Sequence, residues 1–155
     1  EVKEPTNIHP KREITGLECK KPEISGKRIW GLIEDIYGSP ADAFKEIFVL
    51  NHFPLWMFNK LGQNITPDKL KVSTTKEIFE TCNKYLTDIA NILEAETIIA
   101  VGKYAHKMAK IAINNTQIKT IAIKEIPHPS PANPLANKDK GRVWKKIAKE
   151  VIKNN

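Results

Sequence analysis

Two polar residues sit where apolar runs end, and both carry groups able to grip a small ligand. His128 follows Ile123-Lys-Glu-Ile-Pro127, and Asn51 follows Glu46-Ile-Phe-Val-Leu50. An imidazole N–H can stabilise negative charge as it develops on a departing group. A carboxamide sets donors and an acceptor side by side, which suits reading the edge of a planar heterocycle. Each also has a plainer reading: a histidine closing a strand end, and an asparagine turning the chain after a strand. Beyond His128 the chain reads Pro129-Ser-Pro-Ala-Asn-Pro134. The three prolines fix φ, remove three N–H donors and push the residues before them toward extended geometry. The spacing therefore predicts a rigid loop, neither helix nor strand, from Pro129 to Lys138. In an open α/β sheet the crevice outside the carboxyl ends of the strands is where ligands bind.

The elements that must present these residues follow from periodicity. Pro5, Pro10 and Pro22 mark an irregular start. Ser25 is expected to cap a helix from Gly26 to Tyr37, with Ile29, Leu32, Ile33 and Ile36 on one face and Gly38 as its stop. A short helix is expected over Pro40–Lys45 and a buried strand over Glu46–Leu50. Asn59 to Leu70 reads as an exposed loop, with Thr66 and Pro67 starting a helical turn. A long helix from Thr74 or Thr75 carries Ile78, Phe79, Cys82, Tyr85, Leu86, Ile89 and Leu93 on one face. The strand Thr97–Val101, the break at Gly102, a helix Lys103–Ile113, a strand Thr120–Ile126 and a closing helix Arg142–Ile152 complete the order. In that last helix Trp144, Ile147, Ala148 and Val151 point inward. Alternating strands and helices predict a mainly parallel sheet with helices on both faces. Trp30, Trp56 and Trp144 are read as core, and His9 and His52 as surface histidines.

The 155 residues, 41% of them hydrophobic, suit a single domain over 1–155. No apolar stretch approaches the roughly 18 residues of a membrane span, and Glu1-Val-Lys-Glu4 has neither an initiator methionine nor a signal-peptide core. The expectation is a soluble chain that begins inside a longer protein. Two cysteines, Cys19 and Cys82, are too few for a zinc knuckle and are read as reduced thiols. A net charge of +7 favours a polyanion such as nucleic acid, although a lysine-rich surface alone gives the same count.

A set of short motifs occurs in one order: His9-Pro-Lys-Arg12, Gly16-Leu-Glu-Cys19, Ser25-Gly-Lys-Arg-Ile-Trp30, Phe48-Val-Leu-Asn51, Pro54-Leu55, Gln63-Asn-Ile-Thr-Pro67, Val101-Gly102 and His128-Pro-Ser-Pro131 through Asn137-Lys138. In these the chain resembles, nearly end to end, the single-strand-selective monofunctional uracil-DNA glycosylases of the uracil-DNA glycosylase superfamily. The resemblance implies a three-layer α/β/α fold with a short, mainly parallel central sheet. It implies excision of uracil and some C5-modified uracils from single- and double-stranded DNA, in base-excision repair, by a nuclear, monomeric enzyme that needs no metal and no organic cofactor. One departure matters. The family's Gly-Met-Asn-Pro-Gly-Pro segment, whose asparagine positions the attacking water, does not occur in these residues. The expectation is a fragment lacking its first strand and first motif, and itself inactive. The alternative is a DNA-binding module that keeps the groove and the wedge loop without catalysis.

Under this resemblance His128 donates to uracil O2, and Asn51 meets O4 and N3–H. Cytosine would leave buried polar groups unpaired, at about 1–3 kcal/mol each. No lysine is needed as a covalent nucleophile. The stretch Pro129, Ser130, Pro131, Ala132, Asn133 through Asn137 and Lys138 becomes the wedge that enters the duplex. Ala132 stands where many relatives carry arginine, which predicts a weaker grip on duplexes and a bias to single strands. Asp139-Lys-Gly-Arg142 reads as an insertion, with Arg142 adding a phosphate contact. Leu61, Gly62, Gln63 and Asn64 belong to an exposed loop reaching to Thr75 along the DNA, with Lys69 and Lys71 supplying charge. Gly102 and Lys103 open a helix directly after a strand, so free N–H groups there are expected to hold a backbone phosphate.

Overall fold

Helical spacing in the first third gives two short helices that build one outer layer. The computed structural model describes residues 6–20, 23–114 and 121–154. The interruptions at Pro5 and Pro22 and the expected strand start at Thr120 lie outside the described residues. Helix α1 spans Ile24–Tyr37. Its cap is Glu23, whose carboxylate accepts from the Gly26 amide at 3.3 Å, and not Ser25, which lies inside the first turn. Helix α2, Pro40–Glu46, is capped as its sequence suggests: Ser39 Oγ accepts from the Asp42 amide at 3.1 Å, with Pro40 at the first position.

The expected strand over Glu46–Leu50 does not form. Glu46 closes α2, Ile47 is extended (φ −134°, ψ 150°), and residues 47–50 pair with no strand among the described residues. Phe48 is 58% exposed. A β-type composition without a neighbouring ladder leaves the chain extended but unpaired. A 3₁₀ turn at Pro67–Lys69 leads into α3, Val72–Ile92. There Ile78, Tyr85 and Leu93 are exposed, while Thr75, Cys82, Thr87 and Ala90 are buried, so the inward stripe is made of smaller residues than the periodicity predicts.

Strand β1 (Thr97–Val101), helix α4 (Lys103–Asn114) and strand β2 (Ala122–Ile126) form the expected crossover unit. The strands are parallel, in register from Thr97 opposite Ala122 to Val101 opposite Ile126. Alternation assigns the two faces. Ile99, Val101 and Ile126 join Leu32 and Ile29 of α1 on one side. On the other, Glu125 accepts from or pairs with His106 of α4 at 2.8 Å. Helix α6, Arg142–Lys153, lays Trp144 and Ala148 onto the first face. The result is a three-layer α/β/α arrangement around a short parallel sheet. Deleting the buried bulk of Leu32 would cost about 2–5 kcal/mol.

Only one tryptophan is core. Trp144 is 2% exposed, whereas Trp30 is 47% and Trp56 54% exposed. Trp30 lies edge-on to Phe44, and Trp56 lies under the Arg12 guanidinium, 5.6 Å from its ring centre. Between β2 and α6, residues Pro134–Asn137 form the short helix α5, which the proline spacing did not predict. Pro134 occupies the first helical position, where a missing N–H costs nothing, and Asn133 caps it by accepting from the Leu135 amide at 3.1 Å. Ala136 is thereby seated, fully buried, against Ile126 and Trp144. No helix among the described residues is long and apolar enough to cross a membrane. Cys19 is exposed and Cys82 buried.

Candidate active site

The loop after β2 is rich in proline, so its unsolved polar groups are carbonyls rather than amides, and buried carbonyls need donors. Five in a row receive them. Pro127 O accepts from Trp144 Nε1 at 2.6 Å, His128 O from Asn133 Nδ2 at 2.8 Å, and Pro129 O from Arg28 Nη1 at 2.6 Å. Ser130 O accepts from the Asn133 amide at 2.9 Å, and Pro131 O from Asn137 Nδ2 at 2.6 Å. Arg28 Nη2 also donates to Asn137 Oδ1 at 3.0 Å. The loop is thus braced by α1, by α6 and by its own two asparagines. Asn133 and Asn137, expected to touch DNA, have both amide atoms occupied, those of Asn133 within the loop and those of Asn137 by Pro131 O and by Arg28 of α1. Pro131 and Ala132 remain as its exposed tip.

His128 itself is exposed. Its Nδ1 accepts from the Ser130 amide at 3.1 Å, so in the neutral ring the proton sits on Nε2. Nε2 has no hydrogen-bond partner among the described residues and is left as a donor to a ligand. Behind the ring lies Gly102 at φ +87°, where an added Cβ would fall 3.0 Å from His128 Cβ and 3.4 Å from Cδ2. Gly102 is buried and gives its N–H to Ile126 O at 2.8 Å. The Gly102 amide is therefore engaged at the sheet end, and Lys103 is exposed at the start of α4.

Asn51 is exposed, with a carboxamide that meets no hydrogen-bond partner among the described residues. The residue after it is not on the surface as expected. His52 is 9% exposed, its Nε2 2.9 Å from Asn83 Oδ1 on α3 and its Nδ1 3.1 Å from Tyr104 Oη on α4. With Asn83 presenting its oxygen, Nε2–H donates to it and Nδ1 accepts from the Tyr104 hydroxyl. Burial pushes the His52 pKa below its ordinary value, and the Asn83 hydrogen bond partly opposes this. Burial, aided by the charges of Cys82 and Asp68, pushes the Tyr104 hydroxyl up to about 12. Phe53 completes the docking by packing on Phe79, ring centres 5.6 Å apart.

The region read as an open loop is partly a tight hairpin. Phe58 and Asn64 form an antiparallel bridge, and Asn59 Oδ1 accepts from the Leu61 and Gln63 amides at 2.9 and 3.0 Å. Leu61 stands at its tip, 65% exposed. Gly62 is buried, at φ +77°, with His9 Cε1 3.0 Å from where a Cβ would be, and Arg12 Nε donates to its carbonyl at 2.6 Å. Asn64 accepts from Trp56 Nε1 at 3.0 Å. Lys69 and Lys71 are exposed, but Thr75 is buried within α3 rather than in a loop. Lys138 is exposed, and Arg142 pairs with Asp139 across a 3₁₀ turn, its side chain 77% exposed. Among the described residues no cluster of three or more His, Cys, Asp or Glu side chains could hold a metal ion.

Sequence reasoning placed His128 and Asn51 at element ends but missed the donors to the backbone beside His128, Arg28 and Trp144, and the partners of His52, Asn83 and Tyr104. The one available signal was Arg28, lying inside the motif Ser25-Gly-Lys-Arg-Ile-Trp30 and able to donate two parallel bonds. Comparison with known proteins adds a family. Residues 12–151 match the uracil DNA glycosylase superfamily. A single-strand selective monofunctional uracil DNA glycosylase of Bos taurus is 34% identical over 151 residues, covering 97% of this chain and 54% of that protein. Proteins described in the same words from Rattus norvegicus and Mus musculus are each 32% identical, over 97% and 96% of this chain. The chain spans about half the length of the curated relatives it matches.

Proposed function

Because the chain belongs to the uracil DNA glycosylase superfamily, we propose that it serves a monofunctional glycosylase that removes uracil and C5-modified uracils from single- and double-stranded DNA in nuclear base-excision repair. The observation that carries this reading is the Ser130 amide bonded to His128 Nδ1, which directs a proton on Nε2 outward. Hydrolysis adds water to C1′ of the sugar, and the bonding pair leaves with N1 of the uracil. Positive charge grows on the sugar and negative charge on the base, so a fixed donor at O2 lowers the barrier. Asn51, exposed and without a hydrogen-bond partner among the described residues, meets O4 and N3–H and rejects cytosine by leaving its own groups unmatched.

A base inside a duplex must first be flipped out, at a few kcal/mol of lost stacking. The braced loop supports a wedge role, with Pro131 and Ala132 as the part that enters the helix. Lys69, Lys71, Lys103, Lys138 and Arg142 supply phosphate contacts that grip without reading sequence. A second reading rests on the Gly-Met-Asn-Pro-Gly-Pro segment, which does not occur in these residues: a monomeric DNA-binding module that keeps the groove and wedge without hydrolysis.

Uracil release from a single-stranded oligonucleotide by the full-length protein separates the two. We expect release, reduced about a hundredfold or more in His128→Leu and in Asn51→Ala. Undiminished release by both variants overturns the site assignment. Uracil-dependent DNA binding with no release by any form favours the binding module.

A further inference from the structure

We propose that His52 is a positioning residue for Asn51, fixing the base-reading carboxamide to the same helix start that backs His128. The inference rests on the role given to Asn51 above. Asn51 follows an extended run, residues 47–50, that pairs with no strand among the described residues. The residue after it is the one the described structure anchors. His52 is buried between α3 and α4, bonded to Asn83 on one edge of its ring and to Tyr104 on the other.

Tyr104 lies two residues after Gly102, the glycine against which the His128 ring rests. One stretch of backbone, Gly102 to Tyr104, therefore backs one site residue directly and anchors the neighbour of the other. The separation of the two is set by the start of a helix rather than by two independent loops. Imidazole suits this place because it is flat, donates on one edge and accepts on the other. Leucine would fill the volume yet leave the Tyr104 hydroxyl and the Asn83 oxygen unmatched, while glutamine still offers one donor and one acceptor.

The test is a pair of double-mutant cycles in the full-length protein, read as kcat/KM for uracil release from a single-stranded oligonucleotide. His52→Leu is expected to lose about tenfold or more, since small displacements of a positioning group cost that much. In an Asn51→Ala background the same change should cost less than about twofold, and in a His128→Leu background about the full tenfold. His52→Gln should stay within about threefold of the parent. A tenfold loss that persists in Asn51→Ala, or no loss in the parent, overturns the positioning role while leaving the base-reading role intact. Parent-level release by Asn51→Ala overturns both. If His52→Leu does not fold, Tyr104→Phe removes a single hydroxyl and runs through the same cycles. A loss confined to backgrounds that retain Asn51 then supports the proposal, and an equal loss in both overturns it.

Discussion

Gly102 and His128 meet with no room for a side chain between them: a Cβ built on Gly102 would lie 3.0 Å from His128 Cβ, and Gly102 holds φ +87°. Two penalties therefore fall on Gly102→Ala. The left-handed backbone costs an alanine about 1–2 kcal/mol, and the new methyl must push the imidazole away. We expect the unfolding free energy from urea titration to fall by that amount and uracil release to fall at least about tenfold, beyond what the folded fraction explains. Full release by the folded variant would show that the ring needs no backing.

The Arg28 fork makes a different demand. Its two donors reach Pro129 O and Asn137 Oδ1, tying α1 to the loop from 101 and 109 residues away. Lysine cannot meet both acceptors at once. Arg28→Lys should therefore reduce release from duplex DNA more than from single strands, because only the duplex pushes back on the wedge. Since Arg28 serves the loop and not a phosphate, the slope of log affinity against log salt should stay unchanged. Lys138→Ala should lower that slope by about one. A changed slope in Arg28→Lys would place its charge on the DNA instead.

These braces show where the sequence stops being readable. Helices α1, α3, α4 and α6 and both strands follow from period and punctuation, which are local. His52 looked like a surface residue because its partners lie 31 and 52 residues away, in elements whose packing no local pattern states. Glu46–Leu50 looked like a strand because composition reports a preference for extended backbone, whereas pairing needs a neighbour. Pro134 looked like a helix breaker, yet at the first helical position it starts α5. His128 and Asn51 were legible as polar residues at the ends of apolar runs. The groups around them, Gly102 behind His128, Arg28 and Trp144 on its loop and Tyr104 on the His52 beside Asn51, are all distant in sequence or unmarked by type.

The burial of His52 predicts an acid-sensitive fold. Its pKa is lowered in the folded state, so the unfolded chain takes up a proton near the ordinary value of 6.5 while the folded ring resists it. The folded state then holds fewer protons, and its stability falls as pH drops below about 6.5, levelling off below the depressed folded value. Above that range the contribution is complete. The exposed Asp35 and Asp42 carboxylates, both lowered from 3.8, act at more acid pH and do not overlap this window. Urea midpoints between pH 5 and 7.5 should decline toward acid in the parent and stay flatter in His52→Gln. Parallel curves would mean that His52 protonates equally well in both states.

Ala132 gives the most direct test of the wedge. It is exposed at the loop tip, its amide held by Ser130 Oγ at 3.2 Å, so a longer side chain there projects outward without disturbing the buried Pro129 or Ala136. Ala132→Arg should raise the ratio of duplex to single-strand release several-fold, because a long side chain can occupy the stack that the flipped base vacates. Ala132→Gln supplies much of the length without the charge. If filling the gap is what counts, glutamine should recover a good part of the gain with no change in salt slope. If charge counts, only arginine should act, with the slope steepened by about one. An unchanged ratio in both variants would mean that this loop does not enter the duplex.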